Sequence, residues 1–142
     1  MRATNAVWAT TGFDTVNNFQ TSDQVVITGA LRTFVDRNGT GVLESTTRAT
    51  GAVDMRTDEV VALSTTVSNL ADTDLASFRS ALGSLTNSSA GANALVLAND
   101  GTNTGLYLVT DWNGDGTVAG TEARLLARFN GVLLGTGNVT AG

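Results

Sequence analysis

Apolar positions in this chain fall in short runs separated by polar, glycine-containing segments, a pattern that predicts mostly strands. Thr15-Val16 and Gln24-Val25-Val26-Ile27-Thr28 are β-branched runs on either side of the polar stretch 17–23. Leu31 to Val35 is another short apolar run, and it closes on Asp36-Arg37-Asn38-Gly39-Thr40-Gly41, a strong turn signal. Apolar residues resume at Val42-Leu43, and Glu59 to Leu63 predicts a further strand. One segment has a different period. Leu75, Phe78, Leu82 and Leu85 recur at steps of three, four and three, which places them on one face of a helix over about residues 73–85. Asp72, Thr73 and Asp74 supply an N-cap and negative charge where the helix dipole favours it.

Beyond the helix, Ala94 to Ala98 and Leu106 to Thr110 flank the polar segment 99–105 as a hairpin. Leu106 to Thr110 and Ala123 to Phe129 flank a second polar loop, 111–122. The glycine-rich stretch 131–142 is expected to be the least ordered part, with Val132-Leu133-Leu134 available as an edge strand. The expected fold is mainly β with one packed α-helix, its antiparallel β-hairpins arranged around calcium-binding loops, in a single domain spanning 1–142.

Composition narrows the chemistry. The chain has 142 residues, with no histidine, cysteine or proline, and its eight positive charges are all arginine. Imidazole bases, thiolate nucleophiles, zinc-finger ligand sets, disulfides, Schiff-base amines and phosphate-loop lysines are therefore excluded. Twenty-three threonines and a 42% hydrophobic content fit a folded, β-rich chain. The net charge of −5 argues against nucleic acid as a partner and suits a cation. No apolar stretch approaches the roughly 20 residues of a membrane span, and no N-terminal signal peptide is visible.

Residues 111–122 read Asp-Trp-Asn-Gly-Asp-Gly-Thr-Val-Ala-Gly-Thr-Glu and match the calcium-loop pattern D-x-[DN]-x-[DN]-G-x₅-E without a mismatch. Asp111, Asn113 and Asp115 can turn three side-chain oxygens toward one point, and Gly116 permits the sharp turn. The carbonyl of Thr117 then faces the ion, and Glu122 closes the site with two oxygens. Val118 stands where such loops place an apolar anchor. Ala119 offers no ligand at the ninth position, so the expected dissociation constant is of the order of 10⁻⁴–10⁻³ M. A plain turn in a hairpin is the alternative. A fainter echo begins at Asp36: Asp36, Asn38, Thr40, Val42 and Glu44 occupy matching positions, Gly41 matches the turn glycine, and Thr47 falls at the twelfth. Thr47 cannot coordinate through two oxygens, Glu44 partly compensates, and a plain turn is an equal alternative there.

The stretch Phe13 to Ile27 carries Asp14, an aromatic Phe19 five residues on, a polar turn with Asp23, and then an apolar strand. This order resembles the segment that follows the glycine-aspartate nonapeptide repeats of RTX (hemolysin-type) calcium-binding proteins. The later part, from Asp58 through the helix to Val132, is similar to C-terminal regions of bacterial type I-secreted proteins, in particular Asn93 to Gly101 followed by Gly105 to Asp111. The resemblance implies a module that caps a calcium-filled β-roll and supports export by the type I secretion machinery. It implies a secreted, extracellular or cell-surface location. The chain departs from that family in two ways. It has no G-G-x-G-x-D-x-U-x repeat, and its tail, Thr136 to Gly142, lacks the acidic residue and terminal apolar cluster of the protease-type export signal.

Enzyme readings are weak. The carboxylate pairs Asp58/Glu59, Asp72/Asp74 and Asp111/Asp115 do not by themselves define a cleft, and no G-x-S-x-G elbow occurs. Trp8, Trp112, Phe129 and Tyr107 are candidates for a sugar-binding surface. The expectation is thus a non-catalytic, calcium-binding C-terminal module of a secreted RTX-like protein. The alternative is a surface-layer or adhesin module that works by self-association or attachment.

Overall fold

The computed structural model of the chain describes residues 2–3 and 13–142. Trp8 lies outside the described residues. In chain order the elements are β1 (Arg2–Ala3), β2 (Asp14–Val16), β3 (Val25–Ile27), α1 (Gly29–Val35), β4 (Ser45–Arg48), β5 (Val60–Leu63), α2 (Ala76–Leu82), β6 (Ala92–Asn99), β7 (Thr104–Asp111), β8 (Ala123–Phe129) and β9 (Val139–Ala141). Short 3₁₀ turns precede α2 at Thr73–Leu75 and β9 at Thr136–Asn138.

Six strands form one mixed sheet in the order β2-β8-β7-β6-β5-β4. Its centre is the antiparallel run β6-β7-β8; β2 joins β8, and β5 and β4 join β6, in parallel. A second sheet, β1-β3-β9, is parallel throughout. The larger sheet is covered on both faces, which is why β6 and β7 read as nearly continuous apolar runs. Leu95, Leu97, Leu106 and Leu108 point to one side, where they join Val25 and Ile27 of β3, Leu31 and Val35 of α1, and Val139 of β9. Ala94, Val96, Tyr107 and Val109 point to the other, where they meet Phe78 and Leu82 of α2 together with Val53, Met55 and Leu70. Tyr107 stacks on Phe78 at 3.7 Å between ring centroids and donates its buried hydroxyl to the carbonyl of Leu70 at 2.6 Å.

The helix is shorter than the expected 73–85, running over Ala76–Leu82. Phe78 and Leu82 share its buried face, whereas Leu75 stands before it and Leu85 follows it in irregular backbone, buried there all the same. The start is tighter than a regular helix: Leu75 takes a left-handed conformation (φ 52°), and the Asp72 carboxylate accepts the backbone N–H and the hydroxyl of Ser77. Two further expectations are corrected. Leu31 to Val35 belongs to a helix, because Leu31 and Val35, one turn apart, share one buried face. The stretch 131–142 is built into the fold: β9 pairs with β3, and the Asn138 amide donates to the carbonyls of Thr21 and Asp23. Val132 to Leu134 is irregular rather than a strand. Thr104 holds it by donating its hydroxyl to the Val132 carbonyl and accepting the Leu134 N–H.

Candidate functional site

The loop 111–122 joins the end of β7 to the start of β8, so its first and last carboxylates, Asp111 and Glu122, stand at the ends of adjacent antiparallel strands. Asp111, Asp115 and Glu122 each bring a carboxylate oxygen to within 4.8 Å of the others. Asp111 is fully buried: one oxygen accepts the Gly114 N–H at 2.9 Å, and the other accepts the Gly116 N–H at 2.8 Å and the Ser88 hydroxyl at 2.5 Å. Burial works to raise its pKa, but the Ser88 hydroxyl and the amides of Gly116, Gly114 and Asp115 outweigh it, leaving the group below the ordinary carboxylate range. Glu122 is clamped from both ends of the loop, since Trp112 N–H donates to Oε2 at 2.6 Å and Ala119 N–H to Oε1 at 3.0 Å.

Asn113 and Thr117 are set by the turn around Asp115. The Asn113 Oδ1 accepts the Asp115 N–H at 3.2 Å, and the Thr117 N–H donates to Asp115 Oδ1 at 2.8 Å. Gly116 adopts φ +77°, and the carbonyl of Leu85 lies close to where a Cβ would stand, so both conformation and space call for glycine. Val118 is buried as the anchor, and Arg79 of α2 donates to its carbonyl at 3.3 Å. Trp112 points outward, 59% exposed.

The second acidic group is assembled differently from its sequence reading. Its flanks are α1 and β4 rather than the two strands of a hairpin. Thr47 lies within β4, paired with Ala62, and takes no part. The carboxylates that converge are Asp36, Glu44 and Glu59, again within 4.8 Å. Glu59 stands just before β5, and its carboxylate takes the place in the group that the twelfth-position Glu122 takes in the first loop. Arg37 N–H donates to its Oε2 at 2.8 Å and Glu44 N–H to its Oε1 at 2.9 Å, the second and ninth positions counted from Asp36. Trp112 and Ala119 hold the same two positions in the first loop. Gly41 N–H donates to Asp36 Oδ2 at 2.8 Å, as Gly116 does to Asp111.

Asn38 accepts the Thr40 N–H through Oδ1, and the Thr40 hydroxyl bonds both the Val42 carbonyl and Glu44 Oε1. Burial, together with the neighbouring Glu44, raises the pKa of Glu59; the hydrogen bond from Glu59 in turn lowers that of Glu44. Glu44 Oε2 is buried and, among the described residues, has no hydrogen-bond partner. An orphaned carboxylate oxygen beside two further carboxylates suits a hard cation that takes oxygen ligands. Arg32, one turn before Asp36, brings its guanidinium to 4.0 Å from Asp36 Oδ2.

Glu59 lies outside the twelve-residue spacing that begins at Asp36. One signal pointed to it: like Glu122, it directly precedes an apolar strand. The other carboxylate pairs have structural partners, Asp58 with Arg48 at 3.0 Å and Asp72 with Ser77. Both acidic groups lie at the same end of the six-stranded sheet, where β4, β5 and β8 start and β7 ends. Three strand spacings separate the β4–β5 pair from the β7–β8 pair, about 14 Å. Between them, the Arg37 guanidinium donates to the carbonyls of Asn93 in β6 and Asp58.

No helix among the described residues is long and apolar enough to cross a membrane. The chain matches no family model, no curated protein and no solved structure.

Proposed function

We propose that this chain is a non-catalytic calcium-binding module with two ion sites on one rim of its larger sheet. The observation that carries the reading is the repeated clamp: in each group a buried glutamate is held by two backbone amides so that it faces two further carboxylates. Asp111, Asp115 and Glu122 would hold one ion, with Asn113 and the carbonyl of Thr117 completing the loop. Asp36, Glu44 and Glu59 would hold the other, joined by oxygens from Asn38, Thr40 and Val42. Bound calcium supplies the positive charge that offsets the mutual repulsion of three converging carboxylates.

The consequence is calcium-linked folding. A ligand at free concentration c, bound only by the folded chain, adds RT ln(1 + c/Kd). Millimolar calcium against a dissociation constant of the order of 10⁻⁴–10⁻³ M therefore adds about 0.4–1.4 kcal/mol per site. In a compartment poor in calcium, the fold lacks that contribution. In millimolar calcium outside the cell, the fold gains it. This logic fits a secreted module, and type I export in the manner of RTX proteins is the setting we propose for it. Thermal melts in millimolar calcium and in chelator test the reading. The parent chain is expected to gain about 2–8 °C in millimolar calcium, and a chain carrying both Asp111→Ala and Glu122→Ala is expected to keep only part of that gain. A parent melt that ignores calcium ends the proposal.

A further inference from the structure

Three asparagines in this chain precede glycine: Asn38-Gly39, Asn113-Gly114 and Asn130-Gly131. Such a step is self-reactive, because glycine puts no side chain in the path of its own backbone nitrogen toward the preceding side-chain amide. The glycine nitrogen gives up its proton and bonds to the asparagine Cγ; the Cγ–Nδ2 bond breaks, and the nitrogen leaves as ammonia. Water then opens the succinimide ring at one of its two carbonyls, leaving aspartate or isoaspartate. No oxidant or reductant is involved. The fold resists the reaction by holding the glycine N–H in a hydrogen bond, which makes it harder to deprotonate, and by fixing the side-chain amide.

The three steps are held unequally. Asn38 and Gly39 are both exposed, nothing lies within 4 Å of where a Cβ on Gly39 would stand, and the Gly39 N–H makes a long 3.2 Å bond to the Asp36 carbonyl. The Asn38 side chain has only local partners, the Thr40 N–H at 3.2 Å and the neighbouring Glu44 carboxylate. Asn113 is exposed and bonds only to Asp115, but the Gly114 N–H donates to the buried Asp111 carboxylate at 2.9 Å. Gly114 is also packed so closely on Ala90 that a Cβ would lie 2.5 Å from its nitrogen. Asn130 is half-buried and tied on both sides: Arg128 Nε donates to its Oδ1 at 2.8 Å, and its Nδ2 donates to Asn17 Oδ1 at 2.9 Å, across to the end of β2. The Gly131 N–H donates to Asn103 Oδ1 at 2.9 Å.

We propose that the folded chain deamidates spontaneously in the order Asn38, then Asn113, then Asn130, with Asn38 the principal modification site. The order goes beyond the calcium reading and does not depend on it. Asn38 and Asn113 stand at the same position of the two acidic loops, so isoaspartate there lengthens the loop backbone by one carbon and displaces a side-chain oxygen. Cleavage after the arginines places the three asparagines in three different peptides, 38–48, 80–124 and 129–142. Peptide mass mapping of the chain aged at mildly alkaline pH in chelator, folded and in urea, therefore reads each site separately. In urea the three rates are expected to agree within a few-fold. In the folded chain Asn38 is expected to slow least and Asn130 at least tenfold more. Asn17→Ala, a change at an exposed residue, is expected to speed Asn130 several-fold and leave Asn38 unchanged. Asn130 converting as fast as Asn38 in the folded chain overturns the proposal, as does an Asn38 that stays intact when the unfolded chain has reacted fully.

Discussion

The loop at 111–122 and the composite group of 36–44 with Glu59 reach one hydrogen-bonding arrangement by different routes. In the first, every ligand lies within twelve consecutive residues, and the closing Glu122 is 3 and 10 residues from the amides that clamp it. In the second, the closing Glu59 is 15 and 22 residues from its amides and stands just before β5, outside the loop that carries them. Glu122 therefore orders a loop, whereas Glu59 ties the α1–β4 connection to the start of β5. The chemistry of the two groups is shared, but their structural consequences are not.

The largest test of that contrast is loss of each closing carboxylate. Glu59→Ala and Glu122→Ala are each expected to remove one of the two proposed calcium ions, read by titration calorimetry. In chelator, Glu59→Ala is expected to cost about 3 kcal/mol, because it strands two amides and loosens a contact between distant segments. Glu122→Ala is expected to cost about 1–2 kcal/mol, since its loop can relax locally. Equal losses in urea unfolding would remove the distinction.

The turn glycines give a smaller effect. Gly41 and Gly116 both have positive φ, +80° and +77°, so alanine at either is expected to cost about 1–2 kcal/mol. Gly116→Ala is expected to be the worse, because its Cβ meets the fixed carbonyl of Leu85, whereas that of Gly41 meets the movable end of Arg32.

The groups also respond to acid in opposite senses. Asp111 has a lowered pKa in the fold, so its contribution is fully present above its unfolded value of about 3.9 and is lost as pH falls through the lower folded value. Glu59 has a raised pKa, so its ionisation weakens the fold as pH rises through that value. In chelator, Glu59 therefore favours the fold as pH falls toward its unfolded value of about 4.3, while the loss from Asp111 comes below 3.9. Melting temperature against pH is expected to lose the first feature in Glu59→Gln and the second in Asp111→Asn.

Smallest of all is Arg32→Gln. The pair with Asp36 is long and partly exposed, so stability in chelator is expected to change by less than about 1 kcal/mol. Calcium affinity at the second group is expected to rise a few-fold, because a competing positive charge is gone, and affinity at 111–122 is expected to stay the same.

What could be read from the chain differs between the two regions for one reason, the sequence distance over which each is built. The spacing of Asp111, Asp115, Gly116 and Glu122 is local, so the pattern alone located that loop, and β6 and β7 could be read from their nearly continuous apolar runs. The same locality placed Phe78 and Leu82 on one helical face, while Leu85 is buried beyond the end of the helix. Leu31 to Val35 is too short for its period to separate strand from helix, and the burial of Leu31 and Val35 against the sheet decides it. The ordered tail was equally hidden, because β9 is fixed by pairing with β3 more than a hundred residues away.

The sequence by itself determined an acidic, mainly β chain without the residues of most catalytic sites, and one complete oxygen-rich loop. Only the tertiary structure chose Glu59 over Thr47 as the closing residue of the second group. It did so because parallel pairing of β4 with β5 sets Glu59 beside Glu44 at the start of both strands, a neighbour relation that no spacing along the chain encodes.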